Sequence, residues 1–418
     1  MPGRERATSR SSFGPLANHP DRADGRIVPS PRPGVKLPSG KADPLWLEDL
    51  VSGIILLEPP MTLVHSQTPE PPPGRVLVVR LGAVGDVVRT LPAVRLVKNT
   101  WPGVTVGWAV EELSAPLLEG HPDIDRILLL PRRALARAAK GASPAALRLA
   151  GGFRREVKGF GADLTLDFQS SFKSGLVAWL SRAPRRFGFD KPFDREHSHL
   201  FANRRVRPRS LRQHRVQRAV DLALAAGAHH GPLIADLALT SGELDEGRSR
   251  FAALSPRPTT VTLAPFSSRR QSWKRYPLEA WAETIRRLAD EGIGTLVLGG
   301  PGEREEAEAL GRAAPGATTL STDLPLRRLS SLIAAAPALI GGDTGPMHLA
   351  WAVGCRVVAI YGPTDPVLNA PFGEGHRVLA PSEPSRRDDS DRFPGVTPAR
   401  IVQETREILE SLSTEARP

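Results

Sequence analysis

The chain has 418 residues, 40% apolar and 24% charged, and at roughly 100–200 residues per domain this means two or three domains with sizeable cores and excludes whole-chain disorder. A single cysteine, Cys355, excludes an intrachain disulfide and a multi-cysteine metal site; no apolar run is long enough to span a bilayer, and the first residues lack the apolar core of a signal peptide. The balance of 56 Lys and Arg against 45 Asp and Glu gives +11, which permits nucleic acid, an anionic membrane surface or a phosphorylated small molecule as partner and selects none of them.

Residues 1–74 carry 14 prolines and little periodicity, so they read as a mostly disordered extension. Within it Trp46 to Leu57 has helix-like apolar spacing and would dock on the body, touch a membrane or be incidental. The body opens at Arg75. RVLVVRLG is a buried parallel strand by its β-branched run, followed by a helix over 86–99 with Val87, Leu91, Val94 and Val97 on one side. Strands follow at 104–110, 126–132 and 162–168, and a helix at about 214–227 closes this half. From about 258 the pattern restarts. Strands are expected at 260–266, 294–300, 318–320, 338–342 and 356–362, alternating with helices at 277–292, 303–314, 326–336 and 346–353. Thr397-Pro398 opens a last helix to about Leu412, with Thr as N-cap and Pro in the first turn. The expected organisation is an extension over 1–74, Rossmann-like domains over 75–245 and 258–385, and a helix over 397–413 that crosses back to the first domain.

Two doubly wound α/β units in one chain place a cleft between them, with ligands outside the carboxyl ends of the strands. The strand-to-helix loops therefore carry the chemistry. In RLGAVGDVVRTLP (80–92), Gly82 and Gly85 allow close backbone approach, and Asp86 sits in the first helical turn. Asp86 is either a general base for an attacking hydroxyl or a helix-dipole acid. In GGDTGPMHLA (341–350) the free N–H groups of a helix start suit a diphosphate, with Thr344 and His348 adding hydrogen bonds and Asp343 suited to sugar hydroxyls; a plain turn is the alternative. In PFSSRRQSWKRYP (265–277), Ser267 and Ser268 are small donors, and Lys274 is a candidate phosphate partner in competition with Arg269, Arg270 and Arg275. Glu303 in GGPGERE suits a nucleoside edge or ribose, or is a first-turn helix acid. DFQSSFKSG (167–175) puts Gln169 and Lys173 beyond a strand. Arginines between 132 and 155, with Arg195, Arg215 and Arg218, make a basic first domain suited to an acceptor rich in carboxylate and phosphate. With 5% aromatics, the interleaving typical of single-strand nucleic-acid binding is missing.

Together RVLVVRLGAVGDVVRTLPA, DFQSSFKSG and GGDTGPMHLAWAVGCRVVAIYGPTDP resemble the ADP-heptose:lipopolysaccharide heptosyltransferases of glycosyltransferase family 9, over about Arg75 to Leu412. WAVEE (108–112) and RFGFDKPFDREHSHLFANRR (186–205) make the chain most similar to the heptosyltransferase I group. The resemblance implies a GT-B fold with acceptor on the N-terminal half and sugar nucleotide on the C-terminal half. It also implies inverting transfer of heptose from ADP-heptose to the Kdo region of lipid A, with no metal or other cofactor. Asp86 then matches the general base and Lys274 the catalytic lysine at the donor phosphates. Ser267 and Ser268, in a longer loop, fall where that group has two threonines at the phosphates. Glu303 matches a glutamate at the nucleoside, Leu324 an apolar residue near the adenine, and Asp343, Thr344, Gly345 and His348 the donor motif. Gly85, Lys173, Arg195 and Arg218 fall to acceptor binding. The implied setting is cytoplasmic, with peripheral contact at the inner leaflet that the basic helices near 132–155 would supply and Trp46 to Leu57 would reinforce as an apolar anchor. A heptosyltransferase II-type enzyme or another family member with a different donor or acceptor is the nearest alternative. A non-catalytic sugar-nucleotide-binding protein is the second.

Overall fold

The structure is a computed structural model and describes residues 71–140, 144–300, 302–314 and 318–415. The expectations for the extension, Trp46 to Leu57 included, lie outside the described residues apart from 71–74. The first sheet holds β1 (Arg75–Val79), β2 (Thr105–Glu111), β3 (Arg126–Leu130), β4 (Leu164–Asp167), β5 (Arg185–Phe189) and β6 (Arg204–Val206), all parallel, in the order β3-β2-β1-β4-β5-β6. Its helices are α1 (Val84–Thr100), α2 (Arg132–Lys140), α3 (Pro144–Phe160), α4 (Phe172–Leu180) and α5 (Arg215–Ala225). Strand β1 explains the layering. Successive side chains point to opposite faces, and here both faces are covered. Val76 and Val78 join Val87, Leu91 and Val94 of α1 and Val216 and Val220 of α5 in one core. Leu77 and Val79 join Phe153 and Val157 of α3 and Val177 of α4 in another.

The second sheet repeats the plan with β7 (Thr260–Ala264), β8 (Gly294–Gly299), β9 (Thr318–Thr322), β10 (Ala338–Gly342), β11 (Arg356–Ile360) and β12 (Arg377–Leu379), again parallel, in the order β12-β11-β10-β7-β8-β9. Around it lie α6 (Ser241–Leu254), α7 (Leu278–Asp290), α8 (Arg304–Ala313), α9 (Leu326–Ala334), α10 (Gly345–Ala352), α11 (Pro366–Asn369) and α12 (Pro398–Glu415). Numbered within its own half, each sheet runs 3-2-1-4-5-6. The strand order therefore reverses between β1 and β4 in the first half and between β7 and β10 in the second. These are the positions where such sheets leave a crevice for ligand.

One expectation is corrected. The last helix does not cross to the first half: α12 packs on α7 and beside β10 and β11. Its apolar stripe, Ile401, Val402 and Ile408, is buried with Trp281, Ile285 and Val261 of the second half, and Tyr276 Oη donates to Val396 O (2.9 Å) just ahead of it. Helix α6, which lay unmarked in the sequence reading, begins at a capping box between Thr240 and Glu243 and packs on α9, where a Cβ on Gly247 would stand 2.2 Å from Ser331 O. The two halves touch directly where α10 lies against α1.

Candidate active site

At the first switch point the chain leaves β1 as Arg80–Ala83 and turns into α1, which puts Asp86 one turn into the helix. Its carboxylate meets the Arg80 guanidinium (2.5 Å), the Arg89 guanidinium and, more distantly, that of Arg215 (3.8 Å). Burial alone would raise the Asp86 carboxyl, but these cations prevail and hold it well below the usual carboxylate range. Asp86 is thus ionised at any physiological pH. The loop after β4 is tied to the same place. Asp167 accepts from Gln169 N (3.0 Å), Ser170 N (3.1 Å) and Ser174 Oγ (3.0 Å), and Gln169 Oε1 accepts from Leu81 N (2.7 Å). Burial pushes the Asp167 carboxyl up to about 6 despite these bonds.

Between the two loops lies a cavity of about 270 Å³ lined by Arg80, Asp86, Arg89, Arg195, Arg215 and Arg218, closed by Phe168, Phe189 and Phe193. Burial lowers Arg80 and Arg218, and brings Arg215 down to about 10, with the neighbouring guanidinium groups acting the same way. The Nε atoms of Arg80, Arg89 and Arg218 are buried with no hydrogen-bond partner among the described residues. The lining also carries Glu196, so these guanidinium groups share the cavity with two carboxylates, Asp86 and Glu196.

At the second switch point β7 runs into Ser267 and a 3₁₀ turn, Arg269–Lys274, while β10 runs into Asp343 and α10. Lys274 Nζ donates to Asp343 Oδ2 (2.9 Å). Trp351 Nε1 donates to His348 Nδ1 (3.2 Å), which leaves the proton on Nε2, 3.4 Å from Asp343 Oδ1. Burial, with Arg89 adding to it, lowers His348 to about 4, so the ring is neutral. Burial would raise Asp343, but His348 and Lys274 hold it well below the ordinary range. Thr344 stands at the N-cap of α10 without a side-chain capping bond, and Pro346 follows in the first turn, so the N–H groups of this helix start have no side-chain cap.

The structure brings Lys274, Asp343, Thr344, Gly345 and His348 together and sets Gly85 against the His348 ring: a Cβ on Gly85 would lie 2.2 Å from His348 Cδ2. Ser267 is buried and donates from Oγ to Gln271 O (2.9 Å), whereas Ser268 is exposed. Glu303 accepts from Gly300 N (2.7 Å) and faces Arg275 (3.6 Å), and burial raises its carboxyl. Leu324 is half-buried. Arg195 and Arg218 line the cavity; Lys173 is exposed on α4 and is not among the lining residues. The arginines of α2 and α3 are also absent from that lining. Sequence reasoning missed Arg80 and Arg89. Their spacing from Asp86 on one strand end and one helix face was the available signal.

The sequence profile of glycosyltransferase family 9 (heptosyltransferase) matches residues 151–392. Lipopolysaccharide heptosyltransferase 1 of Escherichia coli K12 is 30% identical over 312 residues, spanning 74% of this chain and 94% of that protein. The enzyme of the same name from Pseudomonas aeruginosa PAO1 is 29% identical, over 74% of this chain and 84% of its own length. The crystal structure of E. coli heptosyltransferase WaaC with ADP superposes with a TM-score of 0.65 at 26% identity, covering 80% of this chain and 99% of WaaC. The paired parallel sheets are those of the GT-B heptosyltransferases, and the chain belongs to glycosyltransferase family 9 and is a glycosyltransferase.

Proposed function

We propose that this glycosyltransferase moves heptose from ADP-heptose to the Kdo inner-core region of lipid A, with inversion, in lipopolysaccharide core biosynthesis. The observation that carries the reading is the place of Asp86 at the edge of a cavity ringed by arginines, which keep it ionised and leave it a weak base until they turn to the acceptor's own anionic groups. A carboxylate there accepts the proton of a sugar hydroxyl as that oxygen attacks the anomeric carbon and the bond to the ADP oxygen breaks. Arg195 and Arg218, in the cavity, suit the carboxylate and phosphate groups of an inner-core acceptor, with Lys173, exposed on α4 outside the lining, as a further cation for it. Gly85 lets α1 come close to the donor loop. The negative charge gained by ADP falls to Lys274, to the N–H groups at Thr344 and Gly345 and to the hydroxyl of Ser268, with that of Ser267 joining them once it leaves Gln271 O. Glu303 and Leu324 take the nucleoside, while Asp343 orients Lys274 and His348 and accepts from a sugar hydroxyl. In this reading the donor charge is met by these cationic and N–H groups. The relatives' names and the ADP bound by WaaC support the choice of donor.

The acceptor is a lipid, and the enzyme meets it at the inner leaflet by peripheral contact. Among the described residues no helix is long and apolar enough to cross a membrane.

The test is ADP release with ADP-heptose and a Kdo-lipid A acceptor, with product mass recorded. The expected product is heavier by one heptose, and Asp86→Ala slows turnover ~10²–10⁴-fold while leaving ADP binding intact. Turnover within about twofold of the parent would reduce Asp86 to a helix-dipole acid.

A further inference from the structure

The segment that follows β11 reaches across to the first half and lands beside Asp86. Asp365 pairs with Arg212 (2.8 Å). His214 takes a bond on Nδ1 from Val216 N (3.2 Å), so its protonated Nε2 donates to Ala370 O (3.0 Å), and its ring packs on Phe372 (5.2 Å). Asn369, only 6% exposed, accepts on Oδ1 from Arg89 NH1 (2.8 Å). Its amide is not free to turn over. Nδ2 faces Asp365 O (3.3 Å), which only accepts, and Oδ1 faces a guanidinium, which only donates; Tyr361 Oη holds the Asn369 carbonyl (2.8 Å). The other end of the same guanidinium, NH2, holds Asp86 Oδ1. Arg89 is therefore a rigid bridge from Asn369 of one half to Asp86 of the other, and its Nε has no partner among the described residues to hold it otherwise.

We propose that Asn369 is a positioning residue for the transfer: seating of residues 365–372 on the first half fixes Arg89, and through Arg89 aims the Asp86 carboxylate at the acceptor hydroxyl. This rests on Asp86 being the proton acceptor. The assembly of the halves and the readiness of the base are then one event, since the bond that reports contact between the halves is one guanidinium away from the base.

The experiment uses the full chain with ADP-heptose and the lipid A acceptor. Asn369→Ala should lower kcat ~10-fold with the KM for donor within about twofold, since one charge-assisted bond that orders the base is lost and no donor contact is. Asn369→Asp keeps an oxygen toward Arg89 and should recover kcat to within about threefold of the parent. In an Asp86→Asn background, Asn369→Ala should cost nothing further, a coupling that a merely structural residue lacks. Arg89→Lys, which keeps one charge but cannot bridge, should match Asn369→Ala and covers the case in which the alanine variant fails to fold. Equal losses in Asn369→Ala and Asn369→Asp, additive losses with Asp86→Asn, or no loss at all each overturn the positioning role. If Asp86→Asn alone turns over normally, the reading of Asp86 falls and takes this proposal with it; if Asp86→Asn is inactive and Asn369→Ala is not impaired, the positioning proposal alone is lost.

Discussion

At the scale of single residues, the contact of Gly85 with His348 decides how closely the halves approach. Trp351 and Asp343 hold the His348 ring on both nitrogens, so it is no flexible chain end that swings aside. A methyl group on Gly85, 2.2 Å from Cδ2 and 2.9 Å from Cγ, must push α1 and α10 apart. Overpacking of this kind costs about 1–3 kcal/mol. Gly85→Ala should accordingly lower the melting temperature by several degrees and cut transfer at least ~10-fold. Gly345→Ala is the control for the fold: its Cβ would meet Val84 at 3.5 Å, ordinary contact, and the melting temperature should hold. Equal melting temperatures for the two variants would mean the halves do not rest on this contact. Asp86, Lys274, Asp343 and His348 could be singled out in the sequence because each lies within ten residues after a strand end, on the loop or in the first turns of the helix that follows, where local pattern is enough. Arg89 and Asn369 were not legible as a pair. They stand 280 positions apart, and only the docking of one half on the other makes them neighbours.

At the scale of elements, a parallel strand covered on both faces reads as a continuous apolar run, as in Val76–Val79, whereas the short β5, β6 and β12, each opening on arginine, lay unmarked. Helix positions followed from the 3.6-residue period, but period does not say which sheet a helix covers. That is why α12 was expected on the first half and lies on the second. Nor does period decide between the two uses expected of the arginines of α2 and α3, an anionic acceptor and an anionic lipid surface. Arg132, Arg133, Arg137, Arg148, Arg154 and Arg155 are exposed, and Arg132 pairs with Glu111 (2.9 Å) at the carboxyl end of β2. The same helices expose Leu147 (79%) next to these charges. Exposed arginines with an exposed apolar side chain on the same helix suit an anionic lipid surface, each Arg near such a surface contributing ~1 kcal/mol. The full chain should therefore float with vesicles containing anionic phospholipid and not with zwitterionic ones. Replacing Arg148, Arg154 and Arg155 by Ser should release it, while turnover on a short, water-soluble acceptor is kept. Equal flotation with both vesicle types would sink this face as the point of contact.

For the whole molecule, the duplicated strand order puts both candidate loops of each half at its switch point, and the remaining question is what holds the halves in register. The chain crosses between them over residues 228–240, with Ala238 in the left-handed region (φ 47°). Arg327 of α9 gathers this crossing. Its guanidinium donates to Glu119 O of the first half (3.2 Å), to Leu237 O (3.5 Å) and Ala238 O (3.3 Å) of the crossing, and to both carboxylate oxygens of Glu243 at the start of α6 (2.5 and 2.6 Å). The bidentate bond holds the Glu243 carboxyl down to about 2. None of these partners among the described residues belongs to the loops after β1, β4, β7 or β10, so the reading tested is that Arg327, three residues beyond Leu324, acts on geometry between the halves. Arg327→Ala should leave the ADP dissociation constant within about twofold while kcat falls ~5- to 10-fold, because transfer needs both halves in register and ADP binding needs only the second. Arg327→Lys should fall between the two, since an ammonium reaches one of these partners but not the carboxylate and the carbonyls together. ADP affinity falling in step with kcat would show that the residue supports the donor site through α9, and the crossing would then be no pivot.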